Sequence, residues 1–378
     1  MSMTGTAFLA LVAILTAVAV AVAVVRWSSL AGPGVGKVLG RVGVLVLINL
    51  LVLLTVAVQV NDQYLFFAGW SDLRGALTGT ITTTTISRGG AARTAATNRV
   101  AGHAARAGTT LPPLPVGRMT ANRVITYSVK GPASGLTGEV SVQLPPGYTK
   151  AGNTTRYPVM EAFQGYPGTT QQWITVMNLG GAMATAVAKH QMRPALIVEP
   201  QTEFPLGTDT ECVNGRPGLP QVETLLTVDV PSWVTHHFRV RTDRSSWAAI
   251  GLSTGAWCAA MASMLHPAQY SAAIVMGGYF RPEFGPVYQP FVPTGPLDHR
   301  YNLVHLTRRT PPSLAMWLET SHSDKVSYGS SAPFIKAARP PLAVHAVVLQ
   351  HAGHRIGLWQ QLLPSSLQWL GKNVPGFH

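Results

Sequence analysis

The pentapeptide Gly251-Leu-Ser-Thr-Gly255 places a serine between two glycines at the spacing of a nucleophile elbow. In that turn a strand passes sharply into a helix, and the serine hydroxyl is held clear of the sheet. An apolar run, residues 247–250, precedes the pentapeptide, and helix-forming residues 256–265 follow it. We therefore predict that Ser253 is a nucleophile. The alternative is an ordinary glycine-rich turn without chemistry.

A serine hydroxyl needs a neighbouring base to remove its proton, and the base needs an acid to orient it. In the elbow arrangement the chain order is serine, then acid, then histidine. The sequence His351-Ala-Gly-His354 follows the last strand-like run, residues 343–349. We predict that His354 is the base, because it follows a glycine and precedes a helix-like segment. His351, nearer the end of the run, is the alternative.

The orienting acid is expected just after the preceding strand-like run, residues 314–319. Asp324 lies in the loop Thr320-Ser-His-Ser-Asp324 and is the predicted acid, and Glu319, at the end of the run, is the alternative acid. Each carboxylate also has an ordinary structural explanation. Asp324 could cap a helix that begins near Ser327, and Glu319 could form a salt bridge at the surface.

Two backbone N–H groups are needed to stabilise the oxyanion of a tetrahedral intermediate. One is the N–H of Thr254, which follows the nucleophile and begins the helix. The other should come from the loop Gln164-Gly-Tyr-Pro-Gly168, which follows the strand-like run 157–163. Tyr166 is the predicted second donor, because Pro167 has no N–H.

Short apolar runs in the last two thirds of the chain predict the strands that must position these residues. Segments long enough for crossover helices separate most of them, which predicts one α/β domain over residues 121–378, with helices on both faces of a sheet. The strand-like runs are 123–129, 138–144, 157–163, 195–200, 247–250, 272–276, 314–318 and 343–349.

These motifs, in this order, resemble the "Putative esterase" family of α/β-hydrolases, which includes esterase D and the mycolyltransferases of the mycobacterial envelope. The resemblance implies an α/β-hydrolase fold with a mainly parallel sheet. It also implies acyl-ester hydrolysis or acyl transfer by a Ser-His-Asp triad, with no metal and no cofactor. Ala352 and Ala256 stand where family members often have glycine, which leaves the triad intact. The motifs are Leu144-Pro-Pro-Gly-Tyr, Phe163-Gln-Gly-Tyr-Pro-Gly, Asp209-Thr-Glu-Cys, Gly251-Leu-Ser-Thr-Gly and Ala352-Gly-His354.

Two apolar stretches near the N-terminus, about residues 7–25 and 42–61, can each cross the ~30 Å hydrocarbon core of a bilayer. A cleaved signal peptide is the alternative for the first stretch, but no basic residue precedes it. Arg26, Lys37 and Arg41 lie between the two stretches, which predicts a cytoplasmic loop and a catalytic domain outside the plasma membrane. Residues 1–75 thus resemble the anchor of membrane-anchored actinobacterial members of the family.

Residues 76–120 are rich in Thr, Ala, Arg and Pro and have few large apolar side chains, which predicts a disordered linker. Residues 76–138 hold seven basic and no acidic side chains, which is more than half of the net charge of +13. Because this excess does not lie on a folded face, nucleic acid is not an expected partner.

Cys212 and Cys258 are the only cysteines in the chain. Outside the membrane a pair favours a disulfide, and two buried thiols are the alternative. The chain also has 12 histidines, but His236 and His237 are adjacent and no His-Glu-x-x-His motif occurs. We therefore expect no metal site.

Taken together, the sequence predicts a membrane-anchored, extracytoplasmic serine esterase or acyltransferase whose partners are the membrane and an acyl-ester or lipid substrate. Water as the second nucleophile would give hydrolysis, and a sugar or other alcohol acceptor would give transfer. Residues 280–312 are the natural place for a substrate lid or acceptor wall. The alternative is a catalytically inactive α/β-hydrolase fold that serves as an envelope scaffold or binding protein.

Overall fold

The computed structural model describes residues 2–102, 104–106, 111–114 and 116–378. The chain forms two compact units. The first contains Met1–Thr82 and the short segment Gln350–Arg355, and the second contains Thr83–Leu349 and Ile356–His378. Six residues from the C-terminal part of the chain therefore belong to the same unit as the apolar N-terminus.

The first unit is built on three helices, α1 (Thr6–Arg26), α2 (Val35–Tyr64) and α3 (Trp70–Thr78). Both α1 and α2 are long and apolar enough to cross a membrane, by length and composition. They meet at Thr16 and Thr55, whose hydroxyl oxygens are 3.1 Å apart. Helix α2 begins seven residues before the predicted stretch at residue 42, directly after Pro33 and Gly34, and it continues through Gly36, Gly40 and Gly43.

The second unit is built on one mixed sheet. Its strands are β1 (Thr83–Gly89), β2 (Val124–Lys130), β3 (Thr137–Gln143), β4 (Val159–Phe163), β5 (Leu196–Pro200), β6 (Trp247–Leu252), β7 (Ala272–Met276), β8 (Leu314–Ser321) and β9 (Leu342–Leu349). They lie in the order β1-β9-β8-β7-β6-β4-β5-β3-β2. The six strands from β9 to β5 are parallel, whereas β1, β3 and β2 pair antiparallel at the two ends.

Helices surround the sheet, and the six parallel strands are buried almost throughout. Strands covered on both faces read as short continuous apolar runs, which is the pattern that predicted them. Helix α8 (Thr254–Leu265) has one glycine, one cysteine and four alanines around Trp257, so it packs closely against the sheet. The helices of this unit are α4 (Ala92–Thr97), α5 (Leu179–Ala188), α6 (Val222–Thr224), α7 (Val230–His237), α8 (Thr254–Leu265), α9 (Pro296–Arg300), α10 (Leu303–Arg309), α11 (Tyr328–Ala337) and α12 (Ile356–Asn373).

The predicted strands are confirmed as β2 to β9, but the predicted disorder of residues 76–120 is wrong for β1 and α4. β1 pairs antiparallel with β9, from Thr83 opposite Leu349 to Gly89 opposite Ala343. Threonine favours strands, but β1 is an edge strand that is exposed along most of its length. It therefore shows no apolar alternation in the sequence. Residues 103, 107–110 and 115 of the predicted linker lie outside the described residues.

Arg244 fixes α4 to the rest of the second unit. Its guanidinium donates to the main-chain carbonyls of Ala96 at 2.8 Å and Asn98 at 3.0 Å, near the C-terminal end of α4, and to Ser313 O at 2.6 Å. Burial lowers the pKa of Arg244 to about 10, so the side chain is still charged at neutral pH. A cation suits this position, because unpaired carbonyls give a helix C-terminus partial negative charge.

Candidate active site

Ser253 occupies the sharp turn between the end of β6 and the start of α8, as the pentapeptide predicted. Its φ is 54° and its ψ is −126°, a conformation that side chains other than glycine rarely adopt. The Ser253 N–H donates to Met276 O at the end of β7, at 2.9 Å. The nucleophile candidate is therefore held in a strained conformation at the carboxyl edge of the sheet, which is the geometry of a nucleophile elbow.

Both glycines of the pentapeptide are required by close backbone contacts. A Cβ added at Gly251 would lie 1.8 Å from Gly255 O, and one added at Gly255 would lie 2.1 Å from Phe163 O. Real carbon atoms cannot approach carbonyl oxygens so closely, so alanine at either position would force the backbone apart. The sequence pattern is thus explained by packing between β6, α8 and the end of β4.

The loop after β4, which holds the predicted second oxyanion donor, passes directly against the elbow. A Cβ added at Gly165 would lie 2.8 Å from the Leu252 side chain and 3.3 Å from the Cβ of Ser253. The Gly165 N–H itself donates to Gln172 Oε1 at 2.7 Å. Within the part of the chain that the structure describes, the N–H of Tyr166 has no hydrogen-bond acceptor. Thr254 is the first residue of α8, where helical N–H groups have no intrahelical acceptor.

Both candidate acids lie on β8 or in the loop that follows it. Asp324 is buried, and its carboxylate accepts from the Val326 N–H at 2.9 Å and the Ser327 hydroxyl at 2.7 Å. These bonds lie in the turn before α11, whose N-cap residue is Ser327 without a side-chain capping bond, so Asp324 is not the cap of that helix. They do not exclude a second role for the same carboxylate. Glu319 is also buried within β8, where its Oε2 accepts from the Trp359 indole N–H at 3.0 Å.

The sheet register relates these acids to Ser253. Leu252 pairs with Met276, which pairs with Glu319 on the far side of β7. Glu319 is thus level with the end of β6, whereas Asp324 lies beyond the end of β8. Because parallel strands end at the same edge of the sheet, the loop of Asp324 and the elbow of Ser253 emerge on the same side.

The candidate base His354 belongs to the first compact unit. The chain reaches it five residues after β9 ends at Leu349, which pairs in register with Ser321 at the end of β8. His354 is half-buried and its N–H donates to Leu65 O at 2.9 Å, whereas His351 in the same segment is exposed.

The predicted disulfide between Cys212 and Cys258 is present. It joins the loop after β5 to α8, and the Trp257 indole N–H reinforces that connection by donating to Glu211 O at 2.8 Å. The Glu211 side chain accepts from the Tyr279 hydroxyl at 2.6 Å. The same Tyr279 oxygen is 3.3 Å from Thr254 Oγ1, next to the nucleophile.

Glu211 and Tyr279 are site residues that the sequence analysis did not assign. Burial raises the pKa of Glu211 well above its ordinary value, and the neighbouring Asp209 raises it further. Burial likewise raises the pKa of Asp209 to about 6. Both effects favour the protonated form of Glu211. The motif Asp209-Thr-Glu-Cys marked this loop, but nothing in the sequence showed that its second acid is buried beside Tyr279.

A cavity of about 730 Å³ opens in the second unit, and residues of the segment 280–312 form most of its wall. An ion pair between Arg281 and Asp298, at 2.6 Å, lies in that wall. Lys325, which follows the candidate acid Asp324, also contributes to it. Ser253 is not among the described residues that line this cavity.

The mostly parallel sheet, the helices around it and the strained serine at the elbow define an α/β-hydrolase fold. Residues 134–370 match the family described as "Putative esterase", and the chain belongs to that family. An uncharacterized protein of Corynebacterium glutamicum is 27% identical over 142 residues. That match covers 38% of this chain and 33% of the relative, so the chain spans about a third of the curated relative's length.

Solved structures with the same fold include an esterase and two hydrolases. A ferulic acid esterase has a TM-score of 0.57 at 19% identity, covering 66% of this chain and 97% of its own. An S-formylglutathione hydrolase from Agrobacterium tumefaciens has a TM-score of 0.56 at 14% identity, and the match covers 68% of this chain and 97% of the hydrolase. The fluorophosphonate-binding serine hydrolase F of Staphylococcus aureus has a TM-score of 0.52 at 13% identity, and the match covers 65% of this chain and 97% of that hydrolase.

Replacing both Cys212 and Cys258 by alanine should destabilise the second unit. The disulfide closes a loop with a sequence separation of 46, which in the chain-entropy model corresponds to about 4 kcal/mol. We expect a clearly lower midpoint of thermal unfolding for the double variant than for the wild type in the same detergent. The reduced wild-type protein is the control and should behave like the double variant. An unchanged midpoint in both samples would mean that other contacts hold the loop after β5.

Proposed function

We propose that this protein is a serine esterase or acyltransferase that uses Ser253 as its nucleophile. The observation that carries the proposal is the backbone conformation of Ser253. This residue has a positive φ and lies in a strand-to-helix turn between two glycines that are sterically required. Strain of this kind persists only where the surroundings enforce it, and it is typical of catalytic nucleophiles. Membership of an esterase family supports the same reaction class.

In the proposed mechanism, His354 takes the proton from Ser253 Oγ as the oxygen attacks the ester carbonyl carbon. Asp324 stabilises the imidazolium that forms. The N–H groups of Thr254 and Tyr166 donate to the oxyanion of the tetrahedral intermediate. Collapse of the intermediate breaks the bond to the leaving alcohol, which receives the proton from His354, and an acyl-serine remains.

The second half of the reaction repeats these steps with a different nucleophile. His354 removes a proton from water or from an acceptor alcohol, and the resulting attack releases the acyl group from Ser253. Water gives a carboxylic acid, and an alcohol such as a sugar hydroxyl gives a new ester. The cavity walled by residues 280–312 is the proposed place for the acyl group or the acceptor, since it reaches Lys325 beside Asp324.

Asp324 is the proposed acid because it lies in the loop beyond the carboxyl end of β8, on the side where Ser253 emerges. Glu319 lies within the buried strand β8. An acid that orients a histidine has to present an oxygen to the imidazole N–H. A loop position beyond the strand end allows this more readily than a position inside a buried strand.

We also propose that α1 and α2 anchor the protein in the plasma membrane, with the second unit outside the cell. Many apolar side chains of these helices are exposed, including Val25 at 75% and Leu53 at 65%. Exposed apolar surface of this extent marks a site of membrane or protein interaction. The basic residues Arg26, Lys37 and Arg41 lie between the helices, and such residues stay on the cytoplasmic side.

A fluorophosphonate probe should label the detergent-solubilised wild-type protein and should fail to label Ser253→Ala. Such probes react with serines whose hydroxyl is activated by a base. Ser365→Ala is the matched control, because Ser365 is an exposed serine on α12, and it should label like the wild type. Folded wild-type protein without labelling would favour the inactive scaffold. Labelling that persists in Ser253→Ala would assign the nucleophile elsewhere.

Asp324→Asn should lower kcat for a chromogenic acyl ester by about 10⁴-fold, because an amide favours the wrong histidine tautomer. Asparagine keeps an oxygen that can accept from the Val326 N–H, so the loop should remain folded. Glu319→Gln is the matched variant, since it keeps the contact with Trp359, and we expect less than a tenfold loss. The reverse order of the two losses would make Glu319 the acid.

Alkaline phosphatase fused after His378 should be active in intact cells if the second unit is outside. This reporter folds only in an oxidising compartment. A fusion after Gly34, in the loop between α1 and α2, is the control and should be inactive. The opposite pattern would place the second unit in the cytoplasm.

A further inference from the structure

The segment Gln350–Arg355, which contains His354, packs against the chain that connects α2 to α3. We call residues 65–72 the α2–α3 junction. The His354 N–H donates to Leu65 O at 2.9 Å. The preceding N–H, that of Gly353, donates to Asp72 Oδ2 at 2.7 Å. Two consecutive main-chain groups around His354 are thus hydrogen-bonded to a part of the chain more than 280 residues away in sequence.

A buried ion pair completes this contact. Arg355 Nη2 is 2.7 Å from Asp72 Oδ1, and Arg355 Nη1 is 2.8 Å from Asp72 Oδ2. The Asp72 side chain is 3% exposed and that of Arg355 is 10% exposed. Asp72 also accepts from the Ala68 N–H at 2.9 Å. A buried carboxylate needs such complete pairing, and removing one partner leaves a costly unpaired charge.

Steric contacts restrict the same segment. A Cβ added at Gly353 would lie 2.3 Å from both Leu65 O and Phe66 O, so only glycine allows the two main chains to approach this closely. The Arg355 guanidinium also lies over the Phe67 ring, 5.1 Å from its centroid. Residues on both sides of His354 are therefore fixed against the junction.

The junction itself is shaped for this contact. α2 ends at Tyr64, and the next residue, Leu65, has a φ of 53° and is buried. This turn exposes the Leu65 carbonyl to the His354 N–H. The Asn61 side chain accepts from the Phe67 N–H at 2.7 Å and donates to Phe67 O at 3.0 Å. The return of the chain after α2 is thus hydrogen-bonded internally, independently of the His354 segment.

We propose that Asp72 and Arg355 are positioning residues for the catalytic base, so that the α2–α3 junction is part of the catalytic apparatus. This inference rests on the proposed role of His354. A general base must be held in place to within a fraction of an ångström, and a displacement of 1 Å can lower the rate about 100-fold. His354 follows Gly353 and precedes Arg355, and both of these neighbours are fixed by Asp72.

In the full-length protein in detergent, Asp72→Asn should lower kcat for a chromogenic acyl ester on the order of 100-fold, with little change in KM. The pH profile should also change. Activity that depends on a histidine base falls on the acid side as the imidazole is protonated. A displaced His354 contributes less to the deprotonation of Ser253 and hydroxide contributes a larger share, so the remaining activity should continue to rise with pH where the wild type has levelled off. A merely structural role would lower the amount of folded enzyme and leave the pH profile unchanged.

Asp62→Asn is the matched control, because Asp62 is a half-buried aspartate of the same unit whose carboxylate accepts from the Gly5 N–H at 2.7 Å. It should retain the wild-type kcat and pH profile. Gly353→Ala tests the contact without changing a charge, and it should give the same altered pH profile as Asp72→Asn. If Asp72→Asn and Gly353→Ala are folded and both keep the wild-type kcat and pH profile, the proposal is overturned.

A measurement on the wild type tests the contact even if the variants do not fold. Hydrogen exchange should show slow exchange at the amides of Gly353 and His354, since both are hydrogen-bonded. Unprotected exchange there would also overturn the proposal. Loss of labelling in Ser253→Ala tests the proposed function separately. If Ser253 is labelled but Asp72→Asn matches the wild type, only the positioning role fails.

Discussion

The positive φ of Ser253 is a conformation that costs ~1–3 kcal/mol and persists only when its surroundings prevent relaxation. β6 enters the turn from within the sheet, paired with β4 on one side and β7 on the other. α8 leaves the turn with Gly255 against Phe163 O, so neither end of the turn can move independently. The parallel strands on both sides then determine which loops reach the serine, because all of them end at the same edge.

Charge at this edge is controlled by burial. The loop after β5 brings Glu211 next to Tyr279, whose hydroxyl contacts Thr254. An ionised Glu211 would place a negative charge near the N–H of Thr254, where the oxyanion is proposed to form. Burial raises the pKa of Glu211, which favours its neutral form, and a neutral group does not oppose a developing negative charge. The disulfide at Cys212 holds this loop on α8.

The sequence was sufficient to predict β2 to β9, the elbow and the disulfide, because each leaves a local signal. Buried strands read as apolar runs, and the elbow reads as two glycines around a serine. β1 left no such signal, since its residues are polar and exposed and its stability comes from pairing with β9. The ion pair of Asp72 with Arg355 was equally hidden. The two residues are 283 positions apart, and each is unremarkable within its own stretch of sequence.

The two residues proposed to exchange a proton are thus held by different kinds of interaction. Ser253 is fixed sterically, by glycines whose neighbours leave no room for a side chain, and such contacts are insensitive to salt. The main chain of His354 is fixed by hydrogen bonds and by a buried ion pair, whose low exposure protects it from screening. A short loop after a strand has few packing contacts of its own. A charged partner on the α2–α3 junction supplies the rigidity that a base in such a loop would otherwise lack.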